Sequence, residues 1–93
     1  MPADEVLDII AACLVTDAYE FNDHFVKRLD ERKLFFTDVL ALLEEPIEVR
    51  VDGVDEYGRK RVIVRGDTPV GEAELVVCIE DEPFCEFITI YWT

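Results

Sequence analysis

The sequence predicts an α+β protein: two to three N-terminal helices packed on one face of an antiparallel sheet of about four strands. Two observations carry that prediction. Apolar residues recur at helical spacing through the first half of the chain, and after Pro46 the period changes from about 3.6 to 2. Helices first and strands after is the order of an α+β layer. Ninety-three residues, 1–93, make a single domain with one modest core.

The first helix is expected from about Asp4 to Val15. Val6, Leu7, Ile10, Cys13 and Leu14 form one stripe, and Asp4, Glu5 and Asp8 stand at the start, where the helix dipole favours negative charge. "TDAYEF" breaks the pattern. Asn22 or Asp23 then caps a second helix to about Lys33, with Phe25, Val26 and Leu29 as its apolar face. Thr37 is expected to cap a short third helix, "DVLALLEE", which Pro46 ends.

In "IEVRVD" the alternation aims Ile47, Val49 and Val51 at a core and Glu48, Arg50 and Asp52 outward. "GVDEYG" reads as a loop, and "RKRVIVRG" as a strand ending at Gly66. "DTPVGE" reads as the next turn. "AELVVCIE" and "CEFITIYW" are apolar on both faces, so at least one belongs at the centre of the sheet. A four-residue loop through "DEPF" matches Leu75 with Ile90 and Val77 with Ile88. In that register Cys78 and Cys85 do not meet.

Cys13, Cys78 and Cys85 are an odd set without C-x-x-C spacing, as expected of reduced thiols packed as small hydrophobes. One histidine and scattered cysteines supply no zinc ligand set, and no cofactor is expected. The longest apolar run, "IIAACLV", is seven residues, too short for a membrane span, and "MPADEVLD" before it is acidic where a secretory signal is basic. The expectation is a soluble, cytoplasmic protein that does not engage membranes.

The formal net charge of −13 disfavours nucleic acid as a partner, because that affinity comes largely from Lys and Arg neutralising phosphates. All nine cations lie between Lys27 and Arg65, in two clusters: Lys27, Arg28, Arg32 and Lys33, then Arg50, Arg59, Lys60, Arg61 and Arg65. Either the fold joins them into one basic face, or they neutralise neighbouring carboxylates. The residues favour the second arrangement.

Three groups of residues are candidates for a site. His24, the only histidine, and Arg28 and Arg32 follow at four-residue steps. A cation beside an imidazole favours the neutral ring, which can act as a base, and arginines can hold a phosphate or an oxyanion. On a helical wheel, however, His24, Arg28 and Glu31 oppose the apolar face, as in any solvated helix with Arg–Glu pairs. Thr89 and Tyr91 alternate with Ile88, Ile90 and Trp92 and so are expected to share a face with Phe87. They either line a pocket or serve as ordinary strand formers. Arg59, Arg61 and Arg65 share the face opposite Val62 and Val64, as a ladder for anions or as cations opposing acidic strands. The chain contains no serine, no glycine-rich phosphate loop and no second histidine. Serine hydrolases and two-histidine acid–base mechanisms are thereby excluded.

In order, these segments resemble a bacterial and archaeal family known as domain of unknown function 4258. Its pattern runs Y-x-F-S-x-H-A-x-x-R-M-x-E-R-G, then a helix opening with Ser or Thr, then a strand meander ending in T-V-Y. "YEFNDHFVKRLDERK" supplies Tyr19, Phe21, His24, Arg28, Glu31 and Arg32 in the same places, and "ITIYW" supplies Thr89 and Tyr91. That family has been compared with the RelE and BrnT toxins, small α+β domains of which several cleave RNA. The resemblance therefore implies a RelE-like fold and a site of His24, Arg28, Arg32, Thr89 and Tyr91 between helix and sheet. Three positions depart from the pattern: Asn22 replaces the serine, Lys33 the glycine, and Leu75 a histidine that many members carry in the third strand.

Two functions of different classes follow. One is a toxin-like domain acting on RNA. In it His24 is base or phosphate ligand, Arg28 and Arg32 stabilise charge, and Tyr91 orients the substrate. The other, which the charge favours, is a non-enzymatic module that binds a protein partner or itself. For that role the closing strand through Trp92 and Thr93 is expected to offer an open edge.

Overall fold

The computed structural model describes residues 3–80 and 82–93. Three helices precede most of the sheet: α1 (Ala3–Val15), α2 (Asp23–Glu31) and α3 (Phe36–Glu44). The strands are β1 (Tyr19–Phe21), β2 (Glu48–Val54), β3 (Lys60–Thr68), β4 (Gly71–Glu80) and β5 (Phe84–Trp92). They form one sheet in the order β1-β5-β4-β3-β2, with β2 to β5 an antiparallel meander. The sheet is thus mixed and five-stranded rather than purely antiparallel, because β1 pairs in parallel with β5, Tyr19 opposite Cys85 and Phe21 opposite Phe87. No described helix is long and apolar enough to cross a membrane.

The helices cover one face. Val6, Ile10 and Cys13 of α1, Phe25 of α2, and Val39 and Leu42 of α3 are buried against Val62, Val64, Leu75, Val77, Phe87 and Ile90. The helical and twofold periods of the sequence meet in that layer. Phe87 is the hub of its aromatic end: the rings of Phe21, Phe25 and Phe36 lie with centroids 5.6, 5.4 and 5.7 Å from it. Burying an aromatic ring completely contributes on the order of 1.5–3 kcal/mol, so this cluster holds β1 and α2 against β5. The expectation that a doubly apolar strand lies centrally is met by β4, between β3 and β5.

Local chemistry sets the helix ends. Asn22 caps α2 with its side chain, accepting the His24 N–H at 2.9 Å. At the other end Lys33 N–H donates to Asp30 and Leu34 N–H to Leu29, the paired bonds of a Schellman stop, with Lys33 left-handed at φ 56°. Thr37 does not cap α3. The cap lies two residues earlier, at Phe35, whose N–H donates to the Asp38 carboxylate at 2.8 Å. Asp38, three residues on, thus reaches back to the N–H of the cap residue, the reciprocal bond of a capping box.

Register holds the next correction. Leu75 pairs with Ile90 as expected, but Val77 pairs with Phe87, not Ile88. Glu80 already pairs with Phe84, so the connection is one residue shorter than expected, and a shift between Val76 and Val77 restores the register beyond it. Asp81, part of the expected "DEPF" loop, lies outside the described residues. Cys78 stands opposite Glu86 and Cys85 opposite Ile79, so the two cysteines do not meet; all three thiols are free and buried. Because of the shift, Phe87 and Ile90 both face the helices. Thr89 pairs with Val76 and Tyr91 with Glu74 on the other face, so they do not share a face with Phe87.

Two edges also differ from expectation. Ile47 and Val51, expected in the core, are 50% and 40% exposed, while Val49 packs against the core. They lie at the margin of the helix layer because β2 is the last strand of the sheet. The closing strand β5 is not an edge but lies between β1 and β4. β3 runs two residues past Gly66, to Thr68.

Candidate functional site

The residues of the His24 comb stand together on one flank of α2. Arg28 Nε donates to His24 Nε2 at 3.4 Å, and its Nη1 meets the Glu31 carboxylate at 2.6 Å. Arg32 lies 3.8 Å from the same carboxylate, and its guanidinium stands 5.8 Å over the ring of Trp92. The hydrogen bond from Arg28 holds the Glu31 carboxyl below its ordinary pKa, against the desolvation of the carboxylate. One carboxylate thus faces both arginines: the wheel sets Glu31 on the face of Arg28, and Arg32 approaches the same carboxylate from the C-cap of α2. Arg32 is the most enclosed of the comb. Its Nε is buried without a hydrogen-bond partner among the described residues, and cation–π contact with Trp92 fastens α2 to the end of β5.

Thr89 and Tyr91 lie on the sheet face that carries no helix. The Tyr91 hydroxyl donates to Glu74 at 3.2 Å. Partial burial and the Glu74 charge both push its pKa up, so it remains a phenol at neutral pH. Arg32 reaches the residue next to Tyr91. Among the described residues, no hydrogen bond or ion pair joins His24, Arg28 or Arg32 to Thr89 or Tyr91. Of the five candidates, therefore, the structure brings His24, Arg28 and Arg32 together and leaves Thr89 and Tyr91 on the other face of the sheet.

The helix-free face is a lattice of ion pairs. Arg50 bridges Glu48 at 2.7 Å and Glu74 at 3.0 Å, Arg65 meets Glu72 at 3.0 Å, and Arg61 lies 3.5 Å from Asp52. Arg59 sits between Asp55 and Glu86, at 2.7 and 2.9 Å. Partial burial works against its charge, but the bonds to Glu86 and Asp55 outweigh this and raise its pKa further. The arginine ladder thus opposes acidic neighbours, the second of the two arrangements drawn from the sequence. Across the chain, every one of the six arginines has a carboxylate within 4.0 Å.

Sequence reasoning missed a polar pocket of about 380 Å3 on this face, lined by Asn22, Asp55, Tyr57, Arg59, Glu86 and Ile88 among others. Asn22 joins it to α2, donating to Glu86 at 3.2 Å. Asp55 folds the β2–β3 turn, accepting the N–H groups of Tyr57 and Arg59 at 3.0 and 2.8 Å. The i, i+4 spacing of Asp55 and Arg59 in "DEYGR" was the one legible signal. Glu86 reaches them only through the fold. Arg59 is held by two carboxylates, and Arg61, which also lines the pocket, lies 3.5 Å from Asp52. A second cavity, an apolar groove of about 450 Å3, runs between α1 and α3 beside Leu7, Ala11, Leu14, Leu40 and Leu43. Burial pushes the Cys78 and Cys85 thiols up, Cys85 further through the adjacent Cys13, which makes them poor nucleophiles. Among the described residues no group of three or more His, Cys, Asp and Glu side chains is placed to hold a metal ion.

A family model described as domain of unknown function (DUF4258) matches residues 21–92, from Phe21 at the end of β1 to Trp92. No curated protein and no solved structure matches the chain.

Proposed function

We propose, for a chain that belongs to the DUF4258 family of domains of unknown function, a non-enzymatic role: a module that binds a protein partner or a second copy of itself. One observation carries the reading. Each of the six arginines has a carboxylate within 4.0 Å, so a chain of net charge −13 sets acidic neighbours beside every guanidinium that a phosphate would need. Apolar surface is offered instead, in the groove between α1 and α3 and at Ile47, Val51 and Val54 along β2. Three buried free cysteines support a reducing, cytoplasmic setting.

A second reading, a RelE- or BrnT-like toxin acting on RNA, is favoured by the contact of His24 with Arg28 on an exposed helix flank. In it His24 is the base, Arg28 and Arg32 stabilise charge at the scissile phosphate, and Tyr91 orients the substrate. That role requires Glu31 to release the arginines and Glu74 to release Tyr91. The deciding experiment follows growth and total-RNA integrity in cells induced for the wild type and for His24→Ala/Arg28→Ala. The interaction reading expects healthy growth and intact RNA in both. Growth arrest with fragmented RNA in the wild type, lost in a double mutant that still folds, would replace it with the toxin reading.

A further inference from the structure

Strand β2 is one edge of the sheet and β1, three residues long, is the other: β3 lies on one side of β2, and no described strand lies on its other side. Edge strands are commonly guarded by charges and bulges. β2 has both, but its charges alternate in sign on one face, Glu48, Arg50 and Asp52. Its pairing with β3 stays regular from Glu48 to Val51, before the shift between Val51 and Val54. On the opposite face Ile47 and Val51, 50% and 40% exposed, flank Val49. A guarded edge has no use for two uncovered branched aliphatic side chains at its margin.

We propose that β2 pairs antiparallel with β2 of a second copy of this chain, across a two-fold axis at Val49, so that the two sheets become one. The inference rests on the reading of the chain as an interaction module and names its partner. Charge selects the register, because directly opposite residues share a face and interact. An axis at Val49 sets Glu48 opposite the partner's Arg50, and Arg50 opposite the partner's Glu48, on the helix-free face. On the helix face it sets Ile47 opposite the partner's Val51, twice, with the two copies of Val49 between them. Moving the axis to Arg50 opposes Arg50 to its own copy and Glu48 to the partner's Asp52, both repulsive. Moving it to Glu48 opposes two carboxylates. An axis at Val51 would oppose Arg50 to the partner's Asp52, but the seam would then run through the irregular stretch before Val54 and would set Ile47 against a charged residue, Asp55. Only the Val49 axis satisfies both faces within the regular stretch. Arg50 already joins Glu48 and Glu74 and remains 43% exposed, so its guanidinium has room for the third carboxylate.

The test is sedimentation of the full chain as a function of concentration. It is run at physiological ionic strength, where a Debye length of about 8 Å screens the repulsion of two acidic copies. The wild type is expected to dimerise. Glu48→Arg and Arg50→Glu should each weaken the dimer about tenfold or more, since each reversal creates two like-charge pairs across the seam. The swap Glu48→Arg/Arg50→Glu should restore it. Val51→Lys, at an exposed position that the monomer fold tolerates, should also separate the copies. Melting curves of each variant check that the monomer is intact. A wild type that is monomeric at every concentration overturns the inference. A dimer indifferent to both single reversals and to Val51→Lys overturns it too, by placing the contact elsewhere, and leaves the interaction reading standing. That reading falls only to RNA cleavage dependent on His24.

Discussion

Gly66 of β3 lies directly under Leu42 of α3: a Cβ at position 66 would stand 2.9 Å from Leu42 Cγ. The helix layer and the sheet meet there with no space for a methyl group, and both residues are buried. Gly66→Ala is therefore expected to destabilise the fold by about 1–3 kcal/mol through overpacking. Urea unfolding measures it. Adding Leu42→Ala removes the clashing atoms, so the double mutant should lose less than the sum of the two single changes. Strict additivity would mean that the two residues do not press on each other.

Lys33 holds the left-handed position that stops α2, at φ 56°. An L side chain in that conformation costs roughly 1–2 kcal/mol, and glycine avoids most of it at some cost in chain entropy. Lys33→Gly, which restores the residue of the resembling family's E-R-G pattern, is expected to stabilise the protein by about 0.5–1 kcal/mol. A shift of the urea midpoint to higher concentration without a change in slope would support it; a lower midpoint would mean that the lysine side chain contributes more than its backbone costs.

Acid sensitivity should concentrate at the β2–β3 turn. Partial burial pushes the Asp55 carboxyl up, but hydrogen bonds from the Arg59 and Tyr57 N–H groups and the Arg59 guanidinium hold its pKa below the ordinary 3.8. A group with a depressed folded pKa contributes stability that is fully present above its unfolded value. That contribution is lost as pH falls through the folded value. The wild type should therefore exceed Asp55→Asn in melting temperature at neutral pH, and the gap should close as the pH drops below about 3.8. A gap unchanged down to the lowest pH would assign the effect of the substitution to the shape of the turn rather than to its charge.

Periodicity, capping residues and turn signals located α1, α2, α3 and the four strands of the meander, because each segment is long enough to show its own pattern. It could not show β1. "YEF" is three residues, and it is a strand only because β5 lies beside it: the Cys85 N–H donates to Ala18 and the Asn22 N–H to Phe87. The comb was legible for a local reason. His24, Arg28, Glu31 and Arg32 are helix neighbours, and their contacts follow from spacing in the chain. Thr89 and Tyr91 were placed on the wrong side of the Phe87 face because a single shift between Val76 and Val77 inverts every side chain beyond it. What the sequence by itself determined was which segments are helix or strand and which charges neighbour one another along them. Which face Tyr91 occupies, which carboxylates engage Arg59 and which strand is left at the edge were decided only by tertiary structure, since register and strand order are set by contacts between residues far apart in the chain.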